Sequence, residues 1–125
     1  MDLSMDDKDK PKKPANALIP QGTPLGLEEL AAYQEGAIVS RILLKTASGS
    51  VTLFAFDKNQ ALSEHTTPFE ALAHMLEGEA EFIVGGKAMS LKAGQLVWMP
   101  ANIPHALKAT TRFKMLLTML SEVSL

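Results

Sequence analysis

Histidine occurs three times in the chain, and two of the three stand beside loops that carry proline: His65 ahead of Thr66-Thr67-Pro68, His105 behind the stretch Pro100 to Pro104. An imidazole in such a place can ligate a transition metal, bind an anion or move a proton near neutral pH. Thr67 and Glu70 follow His65 closely and add oxygen donors ahead of the apolar run Ala71 to Leu76. Side chains alternate across a strand, so Ala71, Ala73 and Met75 share one face while Glu70 and His74 share the other. Glu70 can therefore join the histidines only if a bulge ahead of the strand re-aims it. Pro68 makes an irregular approach available, because it holds Thr67 extended and donates nothing to a ladder. His74, alone inside an apolar strand, reads as a core or interface residue. The glutamates of EGEAE, residues 77 to 81, flank a turn and alternate with small residues, which reads as a solvated strand face. Cysteine is absent, which excludes disulfides, thiolate metal sites and a cysteine nucleophile.

These residues need short strands to position them. From Ile38-Val39 to the final run Arg112 to Leu120, strand-type segments recur at near-regular spacing. Turn signals part them at Ser48-Gly49-Ser50, Asp57-Lys58-Asn59, Glu77-Gly78-Glu79, Gly85-Gly86-Lys87, Ala93-Gly94 and Pro100 to Pro104. Such a series predicts an antiparallel sandwich or barrel. Gly85-Gly86 predicts a tight hairpin pairing EAEFIV with KAMSL, since both central residues of that turn take positive φ.

Ahead of the strands, Thr23-Pro24 and LGLEELAAYQEG predict a short N-terminal helix over residues 21–36. Glu28 and Glu29 suit its first turn, Gly36 its end, and Leu27, Leu30 and Ala31 a stripe laid against the domain. Residues 1–20 read as a flexible tail, because the first fourteen hold four Asp and four Lys and almost nothing apolar. Residues 37–125 make up the barrel. A chain of 125 residues with 46% hydrophobic and 21% charged positions suits one core. A net charge of -2 with scattered Lys and Arg speaks against nucleic acid. No apolar stretch approaches a membrane span and the first residues lack a secretory core, so the reading is a cytoplasmic protein without a membrane partner.

The arrangement EHTTPFEALAHMLEGEAEFIVGGK, followed by AGQLVWMPANIPHALKA, resembles the two motifs of the cupin superfamily, over about residues 37 to 121. His65 falls on the first histidine of the first motif and Gly78 on its closing glycine, while Gly94, Pro100 and His105 hold their places in the second. Thr67 stands where the family has another histidine, Ala71 where it has a glutamate, and Ala109 where it often has asparagine. Asn59 and Asn102 replace two glycines, which is tolerable because Asn enters left-handed conformations. The resemblance implies an all-β fold, a jelly-roll barrel (double-stranded β-helix) of the RmlC-like type, with His65 and His105 side by side at its mouth.

The resemblance further implies a metal site of three histidines and one carboxylate, of which two positions survive. Thr67 offers a neutral hydroxyl, a poor ligand for softer transition metals. The expectation is that no cofactor is firmly held, with at most a divalent transition metal gripped weakly by His65, His105 and Glu70. The family's pocket lies inside the barrel, where small apolar walls and two imidazoles suit a small organic molecule. The expected ligand-binding residues are His65, His105, Thr67, Ala71, Ala73, Met75 and Leu107, with Phe54 or Phe56 and Trp98 or Met99 closing the space. RFKMLLTML is apolar on both faces, so both are expected to be covered, and the resemblance implies a second subunit, hence a homodimer. The functional expectation is a small-ligand-binding barrel; the alternative is a metal-dependent cupin enzyme of the dioxygenase or isomerase type.

Overall fold

The computed structural model describes residues 18–121; the expected tail lies outside the described residues up to residue 17, as do residues 122–125. Nine strands follow one another: β1 (Ile38–Thr46), β2 (Gly49–Phe56), β3 (Ala61–His65), β4 (Glu70–Glu77), β5 (Glu79–Val84), β6 (Lys87–Lys92), β7 (Leu96–Met99), β8 (His105–Ala109) and β9 (Phe113–Leu120). They form two antiparallel sheets, a five-stranded one in the order β1-β2-β9-β4-β7 and a four-stranded one in the order β3-β8-β5-β6. Alternation decides which side chains meet between them. On β4, Ala71, Ala73 and Met75 are buried while Leu72 and His74 are exposed. The core joins Phe56, Met75, Met99, Phe113 and Met115 of the larger sheet to Phe82, Leu91, Leu107 and Ala109 of the smaller. Phe56 and Phe113 stack with ring centroids 4.5 Å apart. Each such ring removed from water contributes about 1.5–3 kcal/mol.

The chain crosses between sheets at Gly78, whose φ of 80° belongs to the left-handed region. A Cβ there would collide with the Arg112 carbonyl and lie 2.7 Å from Phe113 Cβ, so only glycine fits. Gly85 and Gly86 take φ of 57° and 82°, closing a hairpin in which Val84 faces Lys87. Asn59 and Asn102 also hold positive φ, 70° and 62°.

The predicted helix over residues 21–36 forms only as one 3-10 turn, Leu27–Leu30, without a side-chain cap. Thr23 Oγ1 donates to the Gln21 carbonyl instead of capping. Tertiary contact overrides helical propensity here. Leu27, Leu30, Ala31 and Tyr33 pack over Leu43, Leu53, Ala55 and Leu116 on the outer side of the larger sheet. Ala31 is already extended, and Tyr33 reaches Glu77 Oε1, to which it donates at 2.8 Å. Buried Lys114 completes the latch: its Nζ donates to the Glu28 carbonyl at 2.6 Å and lies 3.6 Å from Glu77 Oε1. Glu77, its side chain still 40% exposed, is thus also a partner of the N-terminal segment, and Glu79 accepts from exposed Ser90 Oγ. Half of the outer side of β9 is covered by the protein's own chain.

Candidate functional site

His65 ends β3 and His105 opens β8, directly opposite each other. Leu62 faces Leu107 on the same pair of strands, so three steps along β3 match two along β8, and the register shifts between Leu62 and His65. The bulge supplies the extra residue that returns His65 to the side of the sheet shared by Leu107 and His105. The two rings meet edge to face, with centroids 4.4 Å apart and planes inclined at 67°. His105 is 6% exposed, while His65 is open to solvent.

Each ring is oriented by the same local device. His65 Nδ1 lies 2.9 Å from the Ser63 carbonyl and His105 Nδ1 lies 3.2 Å from the Ile103 carbonyl, two residues back in both cases. A carbonyl only accepts, which assigns a proton to Nδ1 of each ring, so that in the neutral ring it is Nε2 that carries the free lone pair. Burial lowers the pKa of His105 below its ordinary value, and the nearby charge of His65 adds to this against the opposing pull of the Ile103 carbonyl. His105 is therefore neutral at pH 7. The loops behind the pair are pinned to one another: Asn102 N donates to the Thr67 carbonyl at 2.7 Å and Gly85 N to the Pro104 carbonyl at 2.8 Å.

The remaining expected residues are placed differently. Thr67 Oγ1 is occupied within its own loop, 3.3 Å from both the Phe69 amide and the Phe69 carbonyl. Glu70 is not brought to the histidines. β4 runs in regular register from Glu70 against Leu120, its shift against β9 coming only between Met75 and Glu77, so nothing re-aims the carboxylate inward. Its Oε1 accepts from Trp98 Nε1 at 2.7 Å and from the Ala101 amide at 3.4 Å. Among the described residues no three His, Cys, Asp or Glu side chains gather as a metal site. Two imidazoles alone do not make up the four-ligand set that the motifs imply.

Ala71, Ala73, Met75 and Leu107 lie in the central core together with Phe56, Phe82 and Phe113. Phe54 and Phe56 both join this core, being two residues apart, and so does Met99, whereas Trp98 turns outward and is 59% exposed. His74 sits on that outer side between Leu96 and Leu116. The bond between Trp98 and Glu70 escaped the sequence reading. Its signal was present in LVWM, where burying Met99 forces Trp98 to the side shared with Glu70.

The model of the cupin domain matches residues 52–120. A conserved protein of unknown function from Streptococcus pyogenes is similar over 86% of this chain and 94% of its own, at 31% identity and a TM-score of 0.80. A cupin superfamily protein from Desulfitobacterium hafniense aligns over 84% and 96%, at 28% identity and a TM-score of 0.78. A cupin 2 conserved barrel domain protein from Leptotrichia buccalis is 40% identical over 78% of this chain, which spans only 47% of that longer protein, with a TM-score of 0.75. No curated protein matches the chain. With two sheets closed on one core, paired histidines where both motifs require them and a domain match over most of the strands, the chain belongs to the cupin superfamily.

Proposed function

We propose that this cupin binds a small organic molecule at the mouth of its barrel, with His65 and His105 as the polar anchors and no firmly held metal. The observation that carries the reading is the paired orientation: both rings turn Nδ1 to a backbone carbonyl, with centroids 4.4 Å apart, one ring shielded and one exposed, so that in the neutral rings each Nε2 is left as an acceptor. Two acceptors favour a ligand that presents hydroxyl or amine donors. In this reading Thr67 of the adjoining loop and Ala71, Ala73, Met75 and Leu107 of the core are the further ligand-binding residues. We read the protein as a cytoplasmic homodimer.

A second reading, a metal-dependent enzyme of the dioxygenase or isomerase type, draws on the same atoms, because imidazole ligates through one nitrogen while the other donates to a carbonyl. It needs a third donor, and Glu70 is engaged by Trp98. Elemental analysis of untagged protein, refilled with iron, manganese, nickel, copper or zinc and desalted, separates the two. The binding reading expects far less than one ion per chain, with the histidine ring signals in NMR spectra moving on titration with hydroxyl-rich or amine compounds. Near-stoichiometric metal that disappears in a His65→Ala, His105→Ala double variant would overturn it in favour of the enzyme.

A further inference from the structure

We propose that Glu70 is a positioning residue for the histidine pair: from outside the barrel it fixes the loop whose Ile103 carbonyl holds the His105 ring, and so decides which nitrogen of that ring carries the proton. This role rests on the proposed function, in which the pair supplies the polar anchors of the site.

The connection runs through one loop. β7 ends at Met99 and β8 opens at His105, so Pro100 to Pro104 carry the chain from the larger sheet to the smaller one beside the mouth. Pro100 and Pro104 have no amide hydrogen, which leaves three donors to hold five residues. Ile103 N donates to the Pro100 carbonyl at 3.2 Å, closing the loop on itself, and Asn102 N donates to the Thr67 carbonyl at 2.7 Å. Ala101 N has the Glu70 carboxylate, at 3.4 Å. Between Ala101 and the carbonyl-bearing Ile103, Asn102 takes a φ of 62°, a left-handed conformation that side chains adopt only where neighbours hold it. The direction of the Ile103 carbonyl therefore depends on the anchors on either side of that residue.

Glu70 is itself fixed in place. It opens β4 opposite Leu120, and the pairing of Leu72 with Trp98 brings the indole of β7 to its carboxylate. Trp98 Nε1 donates to Glu70 Oε1 at 2.7 Å, a short charge-assisted bond. One oxygen thus joins β4, β7 and the loop. At the far end of the loop the Ile103 carbonyl accepts from His105 Nδ1 at 3.2 Å. His105 is buried, so a carbonyl that swings away leaves an Nδ1 proton without a partner and favours the tautomer protonated on Nε2. Nε2 would then change from acceptor to donor. His65 is an internal control, because its Nδ1 is held by the Ser63 carbonyl within β3, which Glu70 does not touch.

Nitrogen-15 signals of the histidine rings in alkaline buffer read both tautomers in the full chain with no ligand added. The wild type is expected to carry the His105 proton on Nδ1. Glu70→Ala is expected to lose most of that population to the Nε2-protonated form while the His65 signals stay in place. Glu70→Gln, whose amide oxygen can still accept from Trp98 and Ala101, is expected to restore the wild-type tautomer. Trp98→Phe removes the 2.7 Å bond and should shift His105 in the same direction by less, which keeps the proposal testable if Glu70→Ala does not fold. A purely structural role would lower the melting temperature of Glu70→Ala and leave the His105 tautomer unchanged. That result, an equal shift at both histidines, or a wild-type His105 already protonated on Nε2 would overturn the proposal. Failure of the binding reading shows separately, as wild-type ring signals that do not move when hydroxyl-rich or amine compounds are titrated in.

Discussion

Tyr33 donates a 2.8 Å hydrogen bond to Glu77 Oε1, fastening the segment that precedes the barrel to the last residue of β4. Lys114 approaches the same carboxylate and also holds the Glu28 carbonyl, so the latch has two anchors. Tyr33→Phe is expected to lower stability by about 1 kcal/mol in urea unfolding, the usual worth of one such bond. Lys114→Met should do more damage, since it frees a carbonyl as well. If Tyr33→Phe unfolds at the wild-type midpoint, the segment is held by Leu27, Leu30 and Ala31 alone.

The pH dependence has two steps. Burial lowers the pKa of His105, so as pH falls through 6.5 the unfolded chain gains a proton that the folded protein refuses, and stability declines until the lower folded value is passed. Asp57 acts further down. The Arg112 guanidinium, then the Gly36 and Lys58 amides, hold it at about 2 against an ordinary 3.8, so its contribution persists above that range and is lost as pH falls toward about 2. Melting temperatures of His105→Gln should lack the first step and keep the second. A wild-type melting temperature that is flat across the histidine range would contradict the first assignment.

Ala73 tests whether space remains inside the barrel. Because it lies in the core with Phe56, Phe82 and Phe113, Ala73→Leu is expected to destabilise the protein by about 1–3 kcal/mol through overpacking. An unchanged or raised melting temperature would instead reveal room for a ligand beneath the histidines.

Gly78 and Gly86 separate conformational strain from collision. Both hold positive φ, but a Cβ at Gly86 meets nothing within 4 Å, whereas one at Gly78 runs into the backbone before Phe113. Gly86→Ala should lose about 1 kcal/mol, the left-handed penalty. Gly78→Ala should lose several times more, and equal losses in denaturant titrations would show that the turn before Phe113 yields.

The strands were legible because their turns are written in residues with one conformational purpose, as Gly85-Gly86 shows. His65 and His105 were legible through motif spacing, which already contains the extra residue of β3. The helix was misjudged because Thr23, Pro24 and the two glutamates signal local preference, while the docking of Tyr33 onto Glu77 is a long-range contact that no local pattern announces. Glu70 was ambiguous for a related reason. Its direction depends on the register of β4 against β9, and that register is fixed by partners such as Leu120 and Met119, about fifty residues later.

The irregularity between Leu62 and His65 means that the histidine pair depends on chain length as much as on residue identity. Were β3 to pair without the bulge, Glu64 would stand opposite His105 and His65 would turn to the far side of the sheet, with neither imidazole altered. A chain one residue shorter between Leu62 and the histidine would reach the same pairing in regular register, so the mouth rests on strand arithmetic that the identity of its two imidazoles does not reveal.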